Sequence, residues 1–292
     1  RFLFGSVADK GRPKQPTPAV RPQKGAKPRD ELQELRGQLQ SGELEQQQEA
    51  MRKIVLATAE GKDCGVLYMD VLKVIGTNDE SLKRLVYEYV TAYAAQDEGQ
   101  ALLSVNSLVL DSKHHSAHVR GMAIRAMGNI RLSGTAEYFV EPMMRALDDG
   151  DGYVRKSAVL GLVKLMKVAR AGVDRDAVGK RIAALMDDRD AMVAENVMIA
   201  AHELPEVAQH LAMDEQTART EFLLEKSSGC RQALLVGDLK RHAPANGDEA
   251  ERIVRRVLDK ADTTDAGVVM EMVGLLAAYS GHLSGELCEE FA

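Results

Sequence analysis

The chain has 292 residues, 45% hydrophobic and 28% charged, enough to bury a sizeable core. Aromatics are only 4% and Trp is absent, so Ala, Leu, Val and Met must fill that core, which suits closely packed helices. The net charge of −6 is uneven: residues 1–29 carry eight Lys or Arg against one Asp, which leaves residues 30–292 at −13 and argues against nucleic-acid binding.

The basic segment 1–29 is rich in Pro (Pro13, Pro16, Pro18, Pro22, Pro28) and reads as a solvated, disordered tail. Arg1 in first place and the ending GELCEEFA lead us to expect a fragment of a longer protein. Arg1–Gly5 is too short for a signal peptide. No stretch approaches the ~20 apolar residues of a membrane span. Cys64, Cys230 and Cys288 are far apart and match no metal spacing, so free buried thiols in a reducing, cytosolic compartment are expected.

Helical patterning begins near Asp30, a candidate N-cap for ELQELRGQL. From Gln47 an apolar face recurs at offsets 0, 3, 4, 7, 8 and 11, one side of a helix with 3.6 residues per turn. The starts are Gln47, Leu82, Val119, Val154 and Val193, spaced 35, 37, 35 and 39 residues apart, with further copies expected near Arg231 and Val269. The best-preserved pair is Val119, Met122, Ala123, Ala126, Met127, Ile130 and Val154, Ser157, Ala158, Gly161, Leu162, Leu165. Residues 61–76 read as a short helix bounded by glycines, and Thr77–Glu80 as a turn and N-cap. Partner helices lie between the starts at Gln100–Leu110, Glu137–Leu147, Asp176–Met186 and Glu249–Leu258; Pro142 is placed in the first turn of its helix, and Pro205 and Pro244 at helix boundaries. No strand pattern occurs. A period of this size is the mark of a helical solenoid of about seven HEAT- or armadillo-like repeats, so the fold class is all-α.

Asp79-Glu80, Asp148-Asp149-Gly150-Asp151 and Asp187-Asp188-Arg189-Asp190 sit where they can cap the following helices. They can also pair with the cation at the second position of a neighbouring repeat (Lys83, Arg120, Arg155), which predicts a polar ladder along the stack.

No catalytic, cofactor-binding or metal-ligating set is predicted. His114, His115 and His118 cluster in one loop, but only Asp111 could join them as a ligand. Asp148–Gly152 lacks the alternating acids of a calcium loop, and the twelfth position from Asp149 is Leu160. His202-Glu203 opens like a zincin motif, but Glu206 stands where the second His must be. Lys83, Arg84, Arg120, Arg125 and Arg131 read as ladder members or a solvated basic face. GxGxxG, P-loop and GxSxG motifs do not occur.

Particular phrases say more than the period. GKDCGVLYMDV (61–71), KRLVYEYVTAYA (83–94), VNSLVLD (105–111), RGMAIRAMGNIR (120–131), EYFVEPMMRAL (137–147), YVRKSAVLGLVKL (153–165) and MVAENV (192–197), in this order, resemble the N-terminal trunk of the beta-adaptins, the beta-type large subunits of adaptor-protein complexes. The likeness is good over 32–204 and thinner to 280. It implies a right-handed α-solenoid, with residues 30–292 as a truncated adaptin trunk. It also implies a non-enzymatic scaffold without cofactor, paired with a second large adaptin and with medium and small subunits. Such complexes select sorting signals of transmembrane cargo while held peripherally on Golgi, endosomal or coated-vesicle membranes. The family's lysine-rich first helix is here GELEQQQEAMRK (42–53), which weakens any phosphoinositide contact there. The hinge and appendage are absent, so clathrin binding does not follow. RGMAIRAMGNIRL and AGVVMEMVGLL look nearer to the fourth, clathrin-independent adaptor type. Competing readings are another HEAT scaffold, such as a nuclear-transport receptor or phosphatase regulatory subunit, and a helical-repeat enzyme.

Overall fold

The computed structural model describes residues 28–94, 98–169, 173–211 and 213–283, leaving aside the side chains of 28–30 and 213–216. Cys288 and residues 1–27 lie outside it. Among the described residues there are fifteen α-helices, one short 3-10 helix and no strand.

Seven helices form one row: α2 (Leu44–Ala59), α4 (Glu80–Ala94), α6 (Ala117–Asn129), α8 (Gly152–Val168), α10 (Ala191–Glu203), α13 (Cys230–Arg241) and α15 (Ala266–Tyr279). They are the seven copies of the apolar template, each packed on the next. The second row is α1 (Pro28–Gln40), α3 (Tyr68–Val74), α5 (Glu98–Asp111), α7 (Ser133–Ala146), α9 (Arg175–Ala183), α12 (Met213–Leu224) and α14 (Gly247–Lys260); the single turn α11 (Pro205–Ala208) packs on α9. Each repeat is thus a helix pair whose apolar faces meet between the two rows, the only way an amphipathic pair of this length buries both stripes.

The template is buried as expected in the middle of the stack. Val119, Ala123, Met127, Ala158 and Leu162 have no exposed surface, and Val154, Ile130 and Leu165 almost none. The row closes most tightly between α6 and α8. A Cβ on Gly128 would stand 2.8 Å from the Gly161 Cα, so only a bare backbone fits that crossing. Tyrosines supply much of the aromatic packing and fasten loops to helices. Tyr89 Oη donates to the Cys64 carbonyl (2.7 Å), and Tyr279 Oη to those of Leu239 (2.6 Å) and His242 (3.1 Å).

Several expectations need correction. The first helix starts at Pro28, so Pro28 and Arg29 belong to it rather than to the tail, and Asp30 lies inside it; proline in a first turn loses no intrahelical bond. Residues 61–76 are not one helix. Gly61 takes φ 83° and the Asp63 carboxylate accepts from Gly65 N (2.8 Å), so the chain turns first, then forms a 3-10 turn (Gly65–Leu67) and α3. Pro142 is deep within α7 rather than in its first turn, because Ser133 already opens that helix. Its ring is buried, and its missing N–H frees the Tyr138 carbonyl.

At the C-terminal end the buried face is rotated. On α13 it is Gln232, Leu235, Val236 and Leu239, leaving Leu234 44% exposed. On α15 it is Val268, Met272, Leu275 and Tyr279, with Val273 58% exposed. The templates started at 231 and 269 are each off by one. Among the described residues α15 is covered from one side alone, so a narrower stripe suffices there. Cys230 is exposed at the start of α13, whereas Cys64 is buried as expected. Helix α12 was not foreseen, since MDEQTARTEFLL shows no clean stripe.

Ala158→Asp places an unpaired carboxylate in the seam and is expected to destabilise by several kcal/mol, read as a large drop in melting temperature by circular dichroism.

Candidate functional site

Several of the charged side chains that the fold takes into its interior form the predicted ladder. Lys83, on α4, donates to both Asp111 oxygens (2.9 and 2.8 Å) and to the Ile75 carbonyl (2.7 Å). Arg120, on α6, makes a two-pronged bond to Asp149 (2.7 and 2.8 Å) and also holds the carbonyls of His114 and His115. Arg155, on α8, repeats this with Asp188 (2.7 Å twice) and the Asp149 carbonyl. Each cation therefore ties the loop before its own helix to the loop before the next. The side chains of Arg155 and Asp188 are each 6% exposed.

The first rung differs from expectation: its acid is Asp111, at the end of α5. Asp79 instead caps α4 by accepting from Leu82 N (2.7 Å), and Glu80 takes the Ser116 hydroxyl (2.5 Å). Tyr87 Oη also donates to Asp111 (2.5 Å); burial, then this bond, push the phenol far above its usual range. Asp151 and Asp190 cap α8 and α10 as expected, accepting from Tyr153 N (2.8 Å) and Met192 N (2.9 Å). Beyond α8 the ladder changes chemistry. Glu195 is the buried charge on α10, with Ser227 and Arg231 (3.2 Å) as partners. On α13 the neutral Gln232 donates to the carbonyls of Leu224 (3.2 Å) and Lys260 (3.1 Å) and accepts from Asp262 N (2.7 Å).

Burial pushes the Asp149 and Asp188 carboxyls up. The facing Arg120 and Arg155 and the amides of Asp151 and Asp190 outweigh it, so both end below the usual carboxylate range. Asp70 behaves alike, with burial opposed by Gln40, Arg36 and Lys73.

The motifs singled out in the sequence are absorbed by the repeat. The rings of His114 and His115 lie against each other at a tilt (4.1 Å), while His118 stacks on Tyr153 (5.4 Å) and Asp111 is held by Lys83. Burial, then the charges of His115 and Lys83, lower the His114 pKa. In the Asp148–Gly152 turn Asp148 pairs with Arg181 (2.5 Å), Asp149 with Arg120, and Asp151 caps α8. Glu203 pairs with Lys167, Glu206 with Arg175 (2.5 Å), and His202 lies 2.6 Å from Asp238. Among the described residues no group of three or more His, Cys, Asp and Glu is placed to hold a metal, and no helix is long and apolar enough to cross a membrane.

The basic set divides. Lys83 and Arg120 are rungs, whereas Arg84 and Arg125 line an open groove of about 510 Å³ between α4 and α6, closed at one side by Tyr153 of α8. Nothing in the spacing of Arg84 and Arg125 announces that groove, because its walls belong to helices that meet only in the folded stack.

A two-row helical stack built this way is what a family comparison can test. The profile of the adaptin N-terminal region matches residues 27–291. The chain belongs to that family. It is 31% identical over 252 residues to the AP-1 complex subunit beta of Dictyostelium discoideum, covering 85% of this chain and 27% of that protein. It is 30% identical over 261 residues to the AP-1 complex subunit beta-1 of Homo sapiens, covering 88% of this chain and 28% of that protein. The AP-4 complex subunit beta of Dictyostelium discoideum is 27% identical over 237 residues, with 79% and 27% covered. These identities to this adaptin chain do not single out the fourth adaptor type. The chain spans between a quarter and a third of the length of these relatives. In fold it is similar to a chain of a homology model of the full-length AP-3 complex in an intermediate open conformation, with TM-score 0.62 at 18% identity over 84% of this chain and 46% of that one.

Arg155→Met leaves Asp188 buried and unpaired and is expected to cost about 3–5 kcal/mol, whereas Arg181→Ala on the exposed Asp148 pair should cost about 1 kcal/mol or less; urea denaturation midpoints compare the two. Because the Asp149 and Asp188 pKa values are depressed in the folded state, their contribution is complete above the unfolded value of about 4 and is lost as pH falls through the folded values. The urea midpoint is therefore expected to drop below about pH 4, and less steeply in a doubly substituted Asp149→Asn, Asp188→Asn chain.

Proposed function

We propose that this chain is trunk from the beta-type large subunit of an adaptor-protein complex and acts there as a non-enzymatic scaffold. The observation that carries the reading is the match of the adaptin N-terminal profile across residues 27–291, with beta subunits of AP-1 and AP-4 complexes among the relatives. A rigid seam of paired charges supports it, since the ladder spends the buried polar groups on holding repeats together. In this reading the trunk begins with α1 at Pro28 and the basic segment before it is a separate tail. The partners are a second large adaptin and a medium and a small subunit, and the complex reads sorting signals of transmembrane cargo. It sits peripherally on Golgi, endosomal or coated-vesicle membranes and assists vesicle-mediated transport. No catalytic, cofactor or metal site is assigned. The nuclear-transport and phosphatase readings are not favoured by these matches.

Tagged chain co-expressed with a second large adaptin and medium and small subunits is expected to recover all three in one complex on size exclusion. Failure to co-purify, with recovery instead of a phosphatase catalytic subunit or a Ran-type GTPase from lysate, would sink the reading.

A further inference from the structure

Among the described residues most Lys and Arg side chains have an acidic partner. Lys83, Arg120, Arg155, Arg175 and Arg252 each have a carboxylate within 3 Å. Arg84 on α4 and Arg125 on α6 are different. Both are exposed, both line the groove between these helices, and neither forms an ion pair or side-chain hydrogen bond among the described residues. The only carboxylate in the groove wall is Glu88, which forms no ion pair there. On the adjoining face of α8 the Lys164 pKa is lowered, by burial first and then by the charges of Arg131 and Arg125. Lys164 itself donates to Asn129 (2.8 Å), another groove residue. In a body of net charge −13, this is a place where two arginines face one groove and its single carboxylate, Glu88, is paired with neither.

The geometry has the features of a binding site rather than a solvated face. Its volume of about 510 Å³ falls within the ordinary range for small ligands. Thr91 and Asn129 add neutral polar groups, and the stacked His118 and Tyr153 rings make a flat wall at one side. A single carboxylate would answer one arginine. Two guanidinium forks on opposite walls call for a group of higher charge with several acceptor oxygens, which is the description of a phosphate monoester. The tight Gly128–Gly161 crossing beneath holds α6 against α8, so the Arg125 wall has a fixed backing.

We propose that the groove between α4 and α6 binds a phosphate monoester, gripped from its two walls by Arg84 and Arg125. The chemistry is shared by a soluble phosphate ester and by the headgroup of a phosphomonoester lipid. The inference does not depend on the adaptor reading, because it rests on the charge and shape of the groove alone.

The test uses the full 292-residue chain and two probes: glycerol 3-phosphate, followed by NMR shifts of the arginine Nε–H signals, and phosphatidylcholine vesicles with and without phosphatidic acid, followed by co-sedimentation. Doubly substituted Arg84→Gln, Arg125→Gln is expected to bind at least about tenfold more weakly than the parent, since each charge-assisted bond is worth roughly that factor. Arg84→Lys, Arg125→Lys, which keeps charge but loses the forks, should fall between. Arg52→Gln on α2 should bind as the parent does. The basic segment 1–29 is common to all variants, so differences between them report the groove. Binding of glycerol 3-phosphate supports the site with a soluble ester as its ligand; binding of phosphatidic acid vesicles alone, lost in the Gln variant, supports it with a lipid headgroup. Failure of the parent chain to bind either probe, or equal binding by the parent and the Gln variant, overturns the proposal.

Discussion

Lys83 and Arg155 have almost no access to water, and a cation in that position must be answered by an acid and by carbonyl oxygens or it will not stay folded. That demand organises the chain. It requires an aspartate at the mouth of the next loop, a short turn that brings its own carbonyls within reach, and a helix start at a set distance. Arg120 with Asp149 and Arg155 with Asp188 meet all three conditions in the same way. Burial of Val, Ala, Leu and Met supplies most of the driving force, but apolar contacts are tolerant of a slide along the helix axis. The two-pronged arginine bonds are not, and they give the stack its register.

The same constraint explains how the motif-like fragments of this chain are used. An Asp-rich turn, a pair of histidines and a His-Glu dipeptide all fall at helix boundaries, where a solenoid needs caps and crosslinks at every repeat. The polar residues are recruited to the joints. What remains unrecruited, Arg84 and Arg125 above all, stands out for that reason.

How much could be read from the residues varied along the chain. The seven-fold repeat, the all-α class and the three cationic rungs were legible because they recur, and recurrence lets a weak local pattern be checked against its copies. Ala123 and Ala158 could be placed in the core on that basis. The end of the stack was less legible. Val269 and Val273 fit the template as well as Val154 and Ala158 do, yet they are exposed, because burial there depends on which neighbours are present and not on the helix's own period. Pro142 was misplaced because EYFVEPMMRAL shows no earlier start, while Ser133 opens the helix without a marked cap. The groove was not legible at all: its walls are brought together by packing between α4, α6 and α8, and no spacing within one helix records it.

The change of chemistry along the ladder has a further consequence. From α4 to α8 the joints are charged pairs; at α13 the same place is taken by Gln232, which holds its loops with amide bonds alone. Gln232 carries no proton that acid can add or remove in the ordinary range, so that one joint is indifferent to protonation where the rungs at Asp149 and Asp188 are not. A row of nearly identical units thus carries joints of two kinds: acid loosens the two-pronged arginine rungs, while the amide clasp at Gln232 keeps its hold.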